Sequence, residues 1–340
     1  MVIGVDEAQA SIHFGDRRVV QFNFSDPVLG SEEIKAFSAA NRVDAIVPAE
    51  EEAVLLAAHA AQALRLVHND VNAVAATRDK HKLREILTEA GLPQPLYKSL
   101  VDLRDLNDLY PVGFPCVVKP TNLSASRGVV RVNDASQLRE AFSRVLDILG
   151  GSWTAMPLVE EYLPGEEVAF DGLMNQGRLH RLALFDKPDP LTGPFFPETI
   201  YVAPSRKPEK ECELIGETVA AAAAALGLLH GPIHAELRIK DGQAYVIEIA
   251  ARSIGGRCGS ALRFANGFSL ERLILSHAIG EQDIALERES CAVGVMMIPV
   301  PGAGVLRRVE GVRSARAVSG VEVILIDAQP GQVLVPWPEG

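Results

Sequence analysis

At 340 residues the chain exceeds one small domain and suits two or three compact units. Its 48% hydrophobic content can build real cores, and a formal charge of −11 argues against a general nucleic-acid or anionic-membrane binder. A bound polyphosphate would need locally placed cations. The four cysteines, Cys116, Cys212, Cys258 and Cys291, are scattered without a CxxC pair. That indicates neither a zinc site nor a disulfide framework, and suits small buried hydrophobes in a reducing compartment. The opening "MVIGVDEAQA" lacks a basic segment followed by an apolar block. No stretch approaches the roughly 20 apolar residues of a membrane span, so the expected setting is cytoplasmic.

In chain order, "RVVQFNF" and "VDAIVP" read as short strands and "EEAVLLAAHAAQALRL" as an alanine-rich helix, part of a βαβ layer. "TRDKHKLREILTEAGLPQP" predicts a helix stopped by Gly91 and Pro93. "YPVGFPCVVKP" reads as a strand, "TNLSASRGVV" as a Gly/Ser-containing loop, and Asp134 to Leu149 as a helix. "PLVEEYLPGEEVAFDGLMNQGRL" reads as strand, turn, strand, turn, and "DKPDPLTGPFFPET" as a long proline-rich loop. "ETVAAAAAALGLL" is a helix expected to end near Gly231, and "FSLERLILSHAIG" another, with Ser269 as N-cap. The last fifty residues read as short strands joined by Gly and Pro turns. No repeat or low-complexity tract is present.

The chemistry concentrates in "HAELRIKDGQAYVIEIAARSIGG". On a strand from Ile233 to Ile239, His234, Glu236 and Arg238 share one face. A three-residue Lys240-Asp241-Gly242 loop would place Glu248 opposite His234 and make Glu236 its diagonal neighbour, about 7 Å or less between Cβ atoms. A two-residue Asp241-Gly242 turn would send the acids to opposite faces. Two carboxylates on an apolar hairpin repel and resist burial unless a cation lies between them. Mg²⁺ fits, because it takes one or two carboxylates plus substrate phosphates. The competing reading is a solvated face decorated with acids. Arg252 adds a rigid cationic fork just beyond, and Gly255-Gly256 lets backbone N–H groups approach an anion.

Lys119 closes an otherwise apolar strand, either as a snorkelling edge residue or as a charge aimed at a ligand. Ser124, Ser126 and Gly128 lie in the following loop, which lacks the Walker A order. Taken alone, Lys80 is one helical charge among several, and Glu160, Glu161 and Glu167 are acids beside a turn.

Five segments in order, "RDKHKLRE", "CVVKPTNLSASRGVV", "VEEYLPGEEVAFDG", "HAELRIKDG" and "VIEIAARSIGG", resemble the ATP-grasp enzymes over about residues 79–280. The nearest resemblance is to the carboxylate–amine ligase branch with the L-amino acid ligases; D-alanine–D-alanine ligase and biotin carboxylase are more distant. The resemblance implies an α/β fold in three parts. A partial N-terminal βαβ domain would span 1–74, a two-lobed ATP-grasp domain with antiparallel sheets 75–285 (lobes about 79–155 and 156–285), and a small β-rich segment 286–340. It implies that Lys80 and Lys119 contact ATP phosphates and that Ser124, Ser126, Arg127 and Gly128 belong to a phosphate-covering loop. Glu160, Glu161 and Leu163 would line adenine, and Glu167 would bind ribose. Glu236 and Glu248 would hold Mg²⁺, with Mn²⁺ as a substitute, and Arg252 would act with Lys119 in catalysis. Lys187, Gly255 and Gly256 are the candidate substrate contacts.

The implied reaction joins a small-molecule carboxylate to an amine through an acyl phosphate, with no nucleic-acid or membrane partner; a homodimer rests on analogy alone. Two other readings stay open: carboxylation through carboxyphosphate, and an ATP-binding regulatory module without turnover. Two departures from the family pattern stand out. Ala250 replaces the asparagine that often follows the second metal carboxylate, which leaves the number of metal ions open. The chain also reads as short at both ends for a family member, so an incomplete N-terminal domain is expected.

Overall fold

The computed structural model describes residues 1–6, 18–100, 109–150 and 156–339. In the N-terminal part, β1 (Val2–Val5) pairs in parallel with β2 (Arg18–Gln21), and α1 (Pro27–Ser38), α2 (Val54–Ala63) and α3 (Val71–Thr77) follow. The expected "RVVQFNF" strand is therefore confined to its first half. The expected strand at "VDAIVP" does not form: residues 43–48 belong to no ladder and are half-buried at best. Phe22, Ile34, Leu56 and Ala60 make a small core of their own here.

The first sheet unit contains α4 (Lys80–Glu89), β3 (Tyr97–Ser99), β4 (Cys116–Pro120), β5 (Val130–Val132), α5 (Ala135–Ile148) and also β6 (Pro157–Glu161), which pairs with β3 and β4 although it lies past the lobe boundary expected near residue 155. Its sheet runs β3-β6-β4-β5, antiparallel throughout, with α5 packed over it. Aspartates set the helix starts. Asp79 accepts from the His81 and Lys82 N–H groups and Asp134 from those of Ser136 and Gln137, each cap worth about 0.5–2 kcal/mol. On α4 the buried stripe is Lys80, Leu83, Arg84 and Leu87, the spacing of one helix face. Two of its four members are cations.

The second sheet unit holds β7 (Glu166–Asn175), β8 (Arg178–Lys187), β9 (Ile200–Ala203), α6 (Glu209–Leu226), β10 (Gly231–Lys240) and β11 (Gln243–Ala250). Then come α7 (Cys258–Ala261), β12 (Arg263–Phe264), β13 (Phe268–Ser269), α8 (Leu270–Ala278) and β14 (Val293–Met296), which pairs with β9 and so joins this sheet although it lies past the boundary expected at 285. The six-stranded sheet runs β11-β10-β7-β8-β9-β14, so β11 is an edge strand covered by α6. Helix α6 stops earlier than expected, at Leu226, because Gly227 takes the left-handed conformation that terminates helices (φ 79°). Ser269 caps α8 as expected, accepting from the Arg272 N–H. Beyond it, β15 (Gly304–Val305), α9 (Val312–Arg316) and β16 (Val333–Leu334) are short and mostly exposed; the helix was not anticipated. Among the described residues no helix is long and apolar enough to cross a membrane.

The β10–β11 hairpin departs from its expected register. Lys240 pairs with Gln243, so the loop is the two-residue Asp241-Gly242 turn with both φ positive (51° and 74°). That primed geometry matches the twist of the flanking strands. The two-residue turn alone would part the acids. A bulge between Leu237↔Val246 and Glu236↔Glu248 inserts one extra residue in β11 and reverses its alternation. Before it Ala244 and Val246 face the core, and after it Ile249 and Ala251 do. Glu248 is thereby opposite Glu236 directly, and His234 opposite Ala250.

Candidate functional site

One cleft runs between the two sheets, and most of the sequence-derived residues line it. From the first sheet unit and the segment that follows it come Lys80, Lys119, Ser124, Ser126, Glu160, Glu161 and Leu163; from the second come Glu167, Glu236, Glu248, Arg252, Gly255 and Gly256. Arg127, Gly128 and Lys187 are not on its wall. Arg127 Nε donates to Glu339 O (3.3 Å) and the Gly128 N–H to Pro338 O (2.8 Å), while Trp337 Nε1 reaches Ala125 O (3.3 Å). That side of the loop therefore holds the 337–339 segment instead of facing the cleft. Ala125 and Ser126 both have positive φ (54° and 57°), which turns the Ser124–Ser126 edge inward.

Lys187 closes β8 and is buried below the cleft floor, donating to Glu167 Oε1 (2.7 Å) and Glu236 Oε1 (2.8 Å). The family resemblance implies a substrate contact for Lys187; in the structure it is the counter-charge of two acids. Burial acts to lower its pKa, but Glu167 and Glu236 outweigh burial and raise it, so the amine is an ammonium at neutral pH.

The two lysines that line the cleft are buried and paired. Lys80 opens α4 with its backbone N–H on Thr121 O (2.9 Å) and its Nζ on Leu123 O (2.6 Å), 3.4 Å from Glu248 Oε1. Lys119 Nζ lies 2.6 Å from Glu160 Oε2, and Arg84 Nε 2.7 Å from Oε1 of the same carboxylate. Burial, with Arg84 and Lys80 nearby, pulls the Lys119 pKa down to about 8 against the pull of Glu160. Glu160 is itself disfavoured by burial, yet Arg84 and Lys119 win and hold its carboxyl below the usual range.

Around the paired acids, His234 Nε2 lies 3.8 Å from Glu236 Oε1, and His234 Nδ1 lies 3.6 Å from Asp171 Oδ1, too long for a hydrogen bond. Burial acts to lower the His234 pKa, but the two acids outweigh it and push it up to about 9. Burial also disfavours the Glu236 carboxylate, and Lys187 and His234 reverse that, holding it well below the ordinary carboxylate range. Glu236 is therefore ionised at neutral pH and available to a cation. Asp171 Oδ1 accepts the Ile254 N–H (3.0 Å) and so anchors the Arg252–Gly256 turn. Arg252 is gripped by Glu51 of the N-terminal part through Nε, and Glu51 also meets Arg78 (3.3 Å).

A closed cage is absent: among the described residues no three His, Cys, Asp or Glu side chains gather as a metal site. Two carboxylates directly opposite each other on the cleft face nevertheless fit a hard cation whose other ligands are phosphate oxygens and water.

Several cleft residues escaped sequence reading. Arg238 joins Glu167 Oε2 (2.9 Å), Leu163 O (2.9 Å) and Leu191 O (2.6 Å), tying the segment after β6 to the proline-rich loop. Its shared strand face with His234 and Glu236 was the available signal. Glu198 and Tyr201 also line the wall, and Glu51 had no local signal at all.

Residues 112–261 match the family described as ATP-grasp domain. The chain is 29% identical over 253 residues to the alanine–anticapsin ligase of Bacillus subtilis (strain 168), covering 68% of this chain and 53% of that one. It is 30% identical over 183 residues to a D-alanine–D-alanine ligase of Aromatoleum aromaticum, covering 53% of this chain and 57% of that one. The chain thus spans little more than half the length of these curated relatives. The crystal structure of an L-amino acid ligase from Bacillus licheniformis superposes with a TM-score of 0.80 at 30% identity, covering 94% of this chain and 80% of that one. The chain belongs to the ATP-grasp family, in its carboxylate–amine ligase branch.

Proposed function

We propose that this chain carries out ATP-dependent ligation of a carboxylate, an amino acid, to an amine, releasing ADP and phosphate. The observation that supports it most is the direct pairing of Glu236 and Glu248 on a cleft face that also presents Lys80, Lys119 and Arg252. Phosphoryl transfer asks for positioning and charge neutralisation rather than a protein nucleophile.

In this reading a carboxylate oxygen attacks the γ-phosphorus of ATP, the bond to the β–γ bridging oxygen breaks, and ADP leaves with that electron pair. The amine nitrogen then attacks the acyl carbon of the acyl phosphate, loses a proton, and expels inorganic phosphate. Lys80 and Lys119 neutralise the phosphates, and the Ser124–Ser126 edge covers them and excludes water from the acyl phosphate. The main chain from Glu160 to Leu163 lines adenine, and Glu167, already fixed by Lys187 and Arg238, accepts from the ribose hydroxyls. Arg252, aimed by Glu51, stabilises the transferred group. Glu236 and Glu248 would hold Mg²⁺, which supplies positive charge against the phosphate oxygens.

The test is a phosphate-release screen over pairs of amino acids with Mg²⁺ and ATP. Amine-dependent ADP formation supports ligation. Bicarbonate-dependent hydrolysis would favour the carboxyphosphate route, and ATP binding without turnover across the panel would favour a regulatory module.

A further inference from the structure

The buried stripe of α4 carries a cation that the proposed chemistry does not use. Arg84 is fully buried and sits one turn after Lys80. Each of its five N–H groups has an acceptor. Nε donates to Glu160 Oε1 (2.7 Å), and Nη2 donates to Glu160 Oε2 (3.4 Å) and Ile247 O (2.6 Å). Nη1 donates to Val246 O (3.1 Å) and Gln94 Oε1 (3.5 Å). Val246 and Ile247 are adjacent, and they are the residues of the β11 bulge. In an unbroken strand, successive carbonyls point to opposite edges, so one side chain would reach only one of them. The inserted residue lets a single guanidinium take both. The Val246 N–H is held from the same side by Pro93 O (3.0 Å). Because β11 is the sheet edge, no further strand among the described residues satisfies these groups.

We propose that Arg84 is a positioning residue. It clamps the bulge that turns Glu248 onto the cleft face, and with the same planar fork it holds Glu160 against Lys119. One buried group thereby sets the aim of the acid proposed to bind metal and of the cation proposed to bind phosphate, an assignment whose kinetic part rests on the ligase reading. A lysine cannot replace it, because a point charge on a flexible stem cannot meet two consecutive carbonyls and a bidentate carboxylate together.

The experiment compares wild type with Arg84→Lys and Arg84→Gln. In protein free of nucleotide and metal, amide hydrogen exchange is followed over peptides covering 243–250, against peptides of β7 and β8. In parallel, the Mg²⁺ concentration giving half-maximal phosphate release is measured at saturating ATP. The expected result is faster exchange confined to 243–250 and a Mg²⁺ midpoint raised about tenfold or more, as for lost outer-sphere support, with the KM for ATP moving less. Unchanged exchange in 243–250 and an unchanged midpoint in Arg84→Lys would overturn the proposal. So would exchange rising in β7 and β8 as much as in the hairpin in both variants, which would make Arg84 a residue of global stability. If wild type shows no turnover at all, the ligase reading falls by itself, and the exchange measurement still decides the clamp.

Discussion

Glu160→Gln separates two opposed expectations. An acid beside a triphosphate site should repel the ligand, so neutralising it should tighten ATP binding. The local geometry demands the reverse. Glu160 touches Lys119 Nζ at 2.6 Å and Arg84 Nε at 2.7 Å, with all three side chains buried. Burial, Arg84 and Lys80 already depress Lys119 to about 8, and Glu160 is the partner working against them. Removing that charge lowers the Lys119 pKa further, and the amine sheds its proton near neutral pH. One charge-assisted contact to phosphate is then lost, about 1.5–3 kcal/mol, or roughly 10- to 150-fold in Kd at 1.4 kcal/mol per decade. Stability falls as well, because two buried cations lose their counter-charge, at about 3–5 kcal/mol for a broken buried pair. Calorimetric titration of ATP at pH 7.5 and pH 6, with circular dichroism to certify the fold, reads both effects. The binding deficit should shrink at the lower pH as the amine regains its proton. A folded Glu160→Gln that binds ATP as tightly as wild type at pH 7.5 refutes the reasoning.

Three further outcomes follow from the same geometry. Since Lys119 has a folded pKa of about 8, below its ordinary 10.5, kcat/KM for ATP should fall as pH rises through about 8. The stability of wild type relative to Lys119→Met should move the other way, rising from about pH 8 toward 10.5, because the unfolded chain binds the extra proton there. Glu248→Ala should lower phosphate release by about a hundredfold or more while the melting profile persists, its side chain being partly exposed on the cleft wall; wild-type-like release would remove it from the metal site. Arg252→Ala should reduce kcat with little change in the KM for ATP, and Glu51→Gln should do so more weakly, since Glu51 only orients the guanidinium. A change confined to the KM for ATP would contradict the role of Arg252.

Much of the fold is written in short-range chemistry, and those parts are legible. Asp79, Gly91 and Pro93 bracket α4, and Ser269 caps α8, because capping and stopping depend on a few adjacent residues. Arg84 is harder to read, since its partners lie 76, 162 and 163 residues away. The one local sign is a charge at an apolar position of the stripe Lys80, Leu83, Arg84, Leu87. The ion pairs of Lys187 are hidden for a related reason: Glu167 and Glu236 come from β7, the neighbour of β8, and from β10 beyond it, so only the strand order brings the two acids to this lysine.

The hairpin is the instructive case. A three-residue loop and an unbroken β11 are each wrong by one residue, and the two offsets cancel in parity, so the acids still share the cleft face. Side-chain alternation has a period of two, and any even number of slips leaves it intact. What the offsets do not preserve is which residues meet: Glu248 faces Glu236, not His234. Direct opposition brings the two carboxylates closer than a diagonal would, which raises their mutual repulsion when no cation is present. The charges that offset this are built in: Lys187 and His234 against Glu236, and Lys80 against Glu248. An edge strand forced to carry such a pair also needs its bulge held from outside the sheet. The residue that does so, Arg84, lies on the helix that begins with Lys80, so one short helix supplies both the counter-charge to Glu248 and the fixture that aims it.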